Sequence, residues 1–123
     1  VIRGAVVAAA AAAVWTLLAE ARPATVQVQL LAFNDFHGNL EPPSGSNGRI
    51  GQTPAGGVAF LAAHIAALRA ENPNTVVVSA GDNIGATPLI SGLFHDEPTI
   101  ESLNALGLQV SAVGNHELDE GWW

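Results

Sequence analysis

Thr75-Val76-Val77-Val78-Ser79-Ala80-Gly81-Asp82 is the stretch whose reading decides the fold. Its β-branched run is too short for a helix and fits a buried strand, and Gly81-Asp82 ends it in a turn. Upstream, Val58, Leu61, Ile65 and Leu68 recur at three- and four-residue steps. They predict a helix from about Val58 to Glu71, stopped by Asn72-Pro73. Further upstream, Thr25 to Phe33 alternates and then turns wholly apolar, as a strand entering a sheet covered on both faces does. Glu41 to Gly57, dense in Pro, Gly, Ser and Asn, reads as a loop. Downstream come a helical turn from about Pro88 to Phe94 and a helix from about Pro98 to Ala105. Gly107 suits the cap of that helix, and a third strand is expected at Gln109 to Val113. Strand, helix, strand, helix, strand implies right-handed crossovers and a parallel sheet, an α/β fold.

Each expected strand is followed by a polar cluster. These are Asn34-Asp35-Phe36-His37-Gly38, Gly81-Asp82-Asn83 and Gly114-Asn115-His116-Glu117-Leu118-Asp119. In open parallel sheets ligands sit beyond the carboxyl ends of the strands, so the clusters should meet at one edge. Asp35 and His37 are two apart. If that segment is extended, both side chains leave the same face and reach one ion. Carboxylate with imidazole suits Zn, Mn or Fe better than Ca or Mg. Asp82 has two oxygens and can bridge two ions, and Asn115 offers a neutral carbonyl oxygen to the second.

The 123 residues allow one domain at most, and 49% hydrophobic content supports a packed core. Arg3 followed by the alanine-rich run Gly4 to Leu18 and Ala19-Glu20-Ala21 has the order of a secretory leader. Residues 1–21 are therefore expected to be a signal peptide, and 22–123 the mature chain, exported to the periplasm or beyond the cell. Membrane contact is expected only during export. The net charge is −7 and there is no lysine, which argues against a nucleic-acid-binding surface. Cysteine is absent, so disulfides and thiolate metal sites are excluded.

The three clusters resemble those of the calcineurin-like metallophosphoesterases. Within that superfamily they are most similar to the branch of 5′-nucleotidases, UDP-sugar hydrolases and 2′,3′-cyclic-nucleotide phosphodiesterases. The resembling text is LLAFNDFHGNLEP, PAGGVAFLAAHI, and the long run from VVVSAGDN to GNHELDEG. The resemblance implies the N-terminal part of a four-layer α/β/β/α fold, mostly parallel strands with crossover helices. It implies two divalent ions, drawn from Zn, Mn, Fe, Co or Mg, with Asp35 and His37 on the first, Asp82 bridging and Asn115 on the second. His116 would face the substrate phosphate as the catalytic group, oriented by Asp119. The implied reaction is in-line attack of a metal-bound hydroxide on the phosphorus of a nucleotide or related phosphate ester.

Family members bring further histidines after the Gly-Asn-His-Glu segment, and a C-terminal nucleotide-recognition domain. Neither is expected within 123 residues, so this chain is expected to have little or no activity alone. The competing expectation is a non-catalytic exported fragment that binds one metal or a phosphate weakly. A dinucleotide-binding module is disfavoured, because G-x-G-x-x-G is missing after the first strand. His64 reads as an ordinary helical histidine. His95 and Asp96 read as a solvated loop ahead of a helix, and Glu117 as an acceptor behind the ligands, a cap or a solvated group.

Overall fold

The computed structural model describes residues 25–121. The expected leader at 1–21 lies outside them, as does Trp122-Trp123. Strands β1 (Gln29–Phe33), β4 (Thr75–Ser79) and β5 (Val110–Ser111) form a parallel sheet in the order β1-β4-β5. Helix α1 (Val58–Glu71) connects β1 to β4, while α2 (Leu89–Gly92) and α3 (Glu97–Leu106) connect β4 to β5. The chain is thus α/β with a parallel sheet and crossover helices, as the resemblance implies. No helix among the described residues is long and apolar enough to cross a membrane.

The core lies on one face of the sheet. Ile65 of α1, Val77 of β4, and Leu103 and Leu106 of α3 are buried together, flanked by Leu31, Phe33 and Leu61. The pairing of Leu31 with Val77 puts these two apolar side chains side by side on that face. On the other face Leu30 is 64% exposed and Val110 59% exposed, so the described residues leave it open. That departs from the expected sheet covered on both faces.

The helix ends are set by local chemistry. Gly107 (φ 85°) closes α3, with Gly107 N–H donating to Asn104 O and Leu108 N–H to Leu103 O, the paired bonds of a Schellman motif. Arg69 of α1 then donates to the Leu106 and Gly107 carbonyls at 3.1 and 2.6 Å, fastening the two helices together.

Several sequence expectations need correction. Thr25 to Val28 are not strand, because Gln29 pairs with Thr75, the first residue of β4. Earlier residues have no strand beside them and are held instead by Asn72 and Asn74 side chains on Gln27 O. The third strand is shorter than expected for the same reason, since only Val78 and Ser79 face it. The loop at Glu41–Gly57 contains a small antiparallel hairpin, β2 (Arg49–Ile50) with β3 (Thr53–Pro54), turning at Gly51.

Candidate active site

Beyond its last strand residues, the sheet continues as hydrogen bonds between loops. Asp35 N–H donates to Gly81 O at 3.1 Å, His37 N–H to Asp82 O at 3.1 Å and Gly38 N–H to Asn83 O at 3.0 Å. This lays the first cluster against the second, at the carboxyl ends of β1 and β4. The third cluster joins through Asp82, whose Oδ1 accepts from His116 N–H at 3.0 Å.

Asp35, His37 and Asp82 have φ of 50°, 45° and 54°. The segment is therefore left-handed at both Asp35 and His37, not extended, and alternation does not explain their proximity. Such backbone is costly for residues with a Cβ, and the cost recurs at functional sites. The turns nonetheless bring Asp35 Oδ1 to 3.8 Å from His37 Nε2. His37 Nδ1 donates to Gly85 O at 2.8 Å, which fixes the tautomer and leaves Nε2 free.

His37, Asp82 and His116 each place a ligand atom within 4.8 Å of the others, a possible metal site. Free imidazole nitrogen and carboxylate oxygens are a donor set that suits a divalent transition ion. The His37 and His116 rings meet edge to face, with centroids 4.9 Å apart. Asn115 is exposed, immediately before the 3-10 turn His116–Leu118.

His116 Nδ1 donates to Asp119 Oδ2 at 2.8 Å. That bond, with the charge of Asp119, raises the His116 pKa against a smaller opposing effect of burial. The pair opens on a cavity of about 350 Å³ lined also by Gly85, Thr87, His95 and Asp96. A second, more apolar cavity of about 650 Å³, lined in part by Asp35, lies between the hairpin and α1. His64 lines that cavity as an exposed helical residue.

Two residues matter more than their sequence suggests. The Glu117 carboxylate accepts from Asp82 N–H at 2.9 Å, Asn83 N–H at 2.7 Å and Gly114 N–H at 2.7 Å. Burial alone would raise its pKa. The backbone donors outweigh burial and hold it below the ordinary carboxylate value. Of the three sequence readings of Glu117, the structure selects an acceptor that sets the shape of the site. Asn83, 4% exposed, accepts from Ser79 Oγ at 2.6 Å and donates to Ser111 Oγ at 2.8 Å. It ties β4 to β5 beneath Asp82. The one sequence signal was its place directly after Gly81-Asp82.

His95 and Asp96 do not share one solvated environment. Asp96 is only 8% exposed. His95 is exposed and pairs with Glu120, its Nδ1 lying 3.0 and 2.9 Å from the two carboxylate oxygens. The hydrogen bond and charge of Glu120 raise its pKa, with smaller help from Glu97 and Asp96. A histidine raised on folding adds stability that is complete below its unfolded pKa and is lost as pH rises through the folded one. Glu120→Gln is expected to lower the His95 midpoint, read by proton NMR, because it removes the largest of the effects that raise it. An unmoved midpoint would show that the pair does not form.

No family model matches the chain. It is 53% identical over 102 residues to an uncharacterized protein in the pqq-V 5′ region of Acinetobacter calcoaceticus, covering 76% of this chain and 50% of that protein. A cell wall protein of Listeria monocytogenes is 40% identical over 112 residues, 84% of this chain and 14% of its own length. A snake venom 5′-nucleotidase of Gloydius brevicauda is 35% identical over 96 residues, 77% of this chain and 16% of the enzyme. Over about three quarters of its length the chain matches relatives named 5′-nucleotidase, which supports the 5′-nucleotidase branch of the metallophosphoesterases. It spans half or less of the length of these relatives.

Proposed function

We propose that the chain contributes to a metal-dependent phosphoric ester hydrolase acting on nucleotides, and that the protein is exported. The observation that carries the reading is the meeting of three loops at one sheet edge, with His37, Asp82 and His116 facing one another. The 5′-nucleotidase relative supports the substrate class, and the cell wall relative supports export.

The residues fit divalent ions as ligands. Asp35, His37 and Asp82 would hold one ion, while Asp82 and Asn115 would share in holding another. When bound, such ions supply charge that activates water and neutralises phosphate oxygens. The chain's own groups do the rest. His37 presents Nε2 because Gly85 O occupies Nδ1–H. Asp119 orients His116 and favours its protonated form, which suits a group that pairs with a phosphate oxygen or gives a proton to the departing one.

Among the described residues the first ion would have three ligands and the second would have two. The chain should therefore bind one ion more tightly than the other and turn over slowly on its own. Calorimetric titration of Zn²⁺ or Mn²⁺ into the chain tests the reading, with phosphate release from AMP measured alongside. Saturable binding that Asp82→Ala abolishes is expected. Absence of saturable binding by a folded chain would refute the metal site. Fast turnover by the chain would refute the division of ligands.

A further inference from the structure

Asp96 holds the most buried carboxylate among the described residues, and neither the ligand set nor the proton chemistry above uses it. Its backbone is left-handed, φ 61°, where glycine would be easier. It precedes α3, yet its side chain does not cap that helix. Instead Oδ2 reaches back to accept the Gly85 N–H at 3.0 Å. Oδ1 is buried without a hydrogen-bond partner. Burial opposes the Asp96 charge, but the Gly85 N–H, with smaller contributions from the Thr87 and Ser91 hydroxyls, outweighs it and keeps the pKa low.

Gly85 is the residue whose carbonyl accepts from His37 Nδ1. It is also pressed against the other half of the site, since a Cβ there would fall 2.7 Å from Asp119 Oδ2 and 2.8 Å from His116 Cβ. One glycine thus touches the His37 side and the His116–Asp119 side, and Asp96 grips it from behind.

We propose that Asp96 is a positioning residue: by holding the Gly85 N–H, it sets the Gly85 carbonyl that keeps His37 in its Nδ1–H tautomer with Nε2 turned to the ion. A left-handed aspartate is tolerated where its side chain performs a task glycine cannot. Partners that orient a ligating imidazole govern affinity for the ion as well as ring geometry. This role rests on the metal-site reading, but the tautomer itself does not require an ion.

Two variants separate positioning from mere support. Asp96→Gly removes the carboxylate and relaxes the left-handed backbone. Asp96→Asn keeps an oxygen for Gly85 N–H. Long-range ¹H–¹⁵N NMR at a pH where the imidazoles are neutral reads the tautomer of His37 directly. The wild-type chain and Asp96→Asn are expected to show His37 protonated at Nδ1, and Asp96→Gly a mixture of tautomers. Zn²⁺ binding should weaken about tenfold in Asp96→Gly, the lower range for such partners, and little in Asp96→Asn. An unchanged His37 tautomer in folded Asp96→Gly overturns the proposal. So does a wild-type His37 protonated at Nε2, which needs no variant to be measured. If the wild-type chain binds no Zn²⁺, the metal-site reading fails while the tautomer comparison still decides the role of Asp96.

Discussion

Glu117→Ala is expected to destabilise the chain by about 3 kcal/mol, the largest loss from any single side chain near the site. The carboxylate collects the Asp82, Asn83 and Gly114 N–H groups within 2.9 Å. Each hydrogen bond to a charged acceptor contributes about 1.5–3 kcal/mol, but three on one carboxylate do not add fully. Water also reaches this half-buried position after truncation, which limits the cost of the orphaned donors. The loops after β4 and β5 would then lose the tie that gathers three backbone N–H groups, and would keep the Asp82–His116 and Asn83–Ser111 bonds. Glu117→Gln should fall between, because one oxygen remains while the amide nitrogen meets backbone donors. Urea denaturation measures both. A Glu117→Ala change within about 0.5 kcal/mol, the range of ordinary surface substitutions, would contradict the anchoring role.

The parts of the fold legible in sequence were those fixed by short-range pattern. Thr75 to Ser79 reads as a strand because its β-branched side chains suit little else, and Val58 to Glu71 reads as a helix from apolar spacing and the Asn72-Pro73 stop. The order of elements then places Asp35, His37, Asp82, Asn115 and His116 in loops at one sheet edge. What periodicity cannot supply is the backbone of those loops. Asp35 and His37 come together through left-handed turns held by Gly81 O and Asp82 O, contacts between residues more than forty apart. The roles of Glu117, Asn83 and Asp96 are of the same kind. Each depends on which N–H or hydroxyl a distant segment leaves unpaired, and no local pattern encodes that. Asp96 is the sharpest case, because an acidic residue before a helix ordinarily serves the helix dipole. Here the left-handed backbone turns it away from α3 and toward Gly85.

Gly114→Ala is expected to weaken divalent-ion binding by about 100-fold, the upper end for loss of ligand positioning, and to destabilise the fold by about 1–3 kcal/mol. A Cβ at position 114 would lie 2.1 Å from Asp82 Oδ1 and 2.7 Å from Asp82 N. The first contact could be relieved by rotating the carboxylate. The second cannot, because the nitrogen belongs to backbone that Glu117 holds at 2.9 Å. Rotation has its own cost, since Oδ1 also accepts the His116 N–H at 3.0 Å. The new methyl therefore either turns away the oxygen offered to the ion or separates the β4 and β5 loops. Both outcomes remove Asp82 from its place between His37 and His116. Zn²⁺ calorimetry and thermal melting on the same sample distinguish the two routes. A large loss of affinity with a small loss of stability indicates carboxylate rotation, and comparable losses in both indicate loop separation. Affinity equal to that of the unsubstituted chain would mean that the ion does not use Asp82 at this position, and the three-loop site would have to be drawn elsewhere.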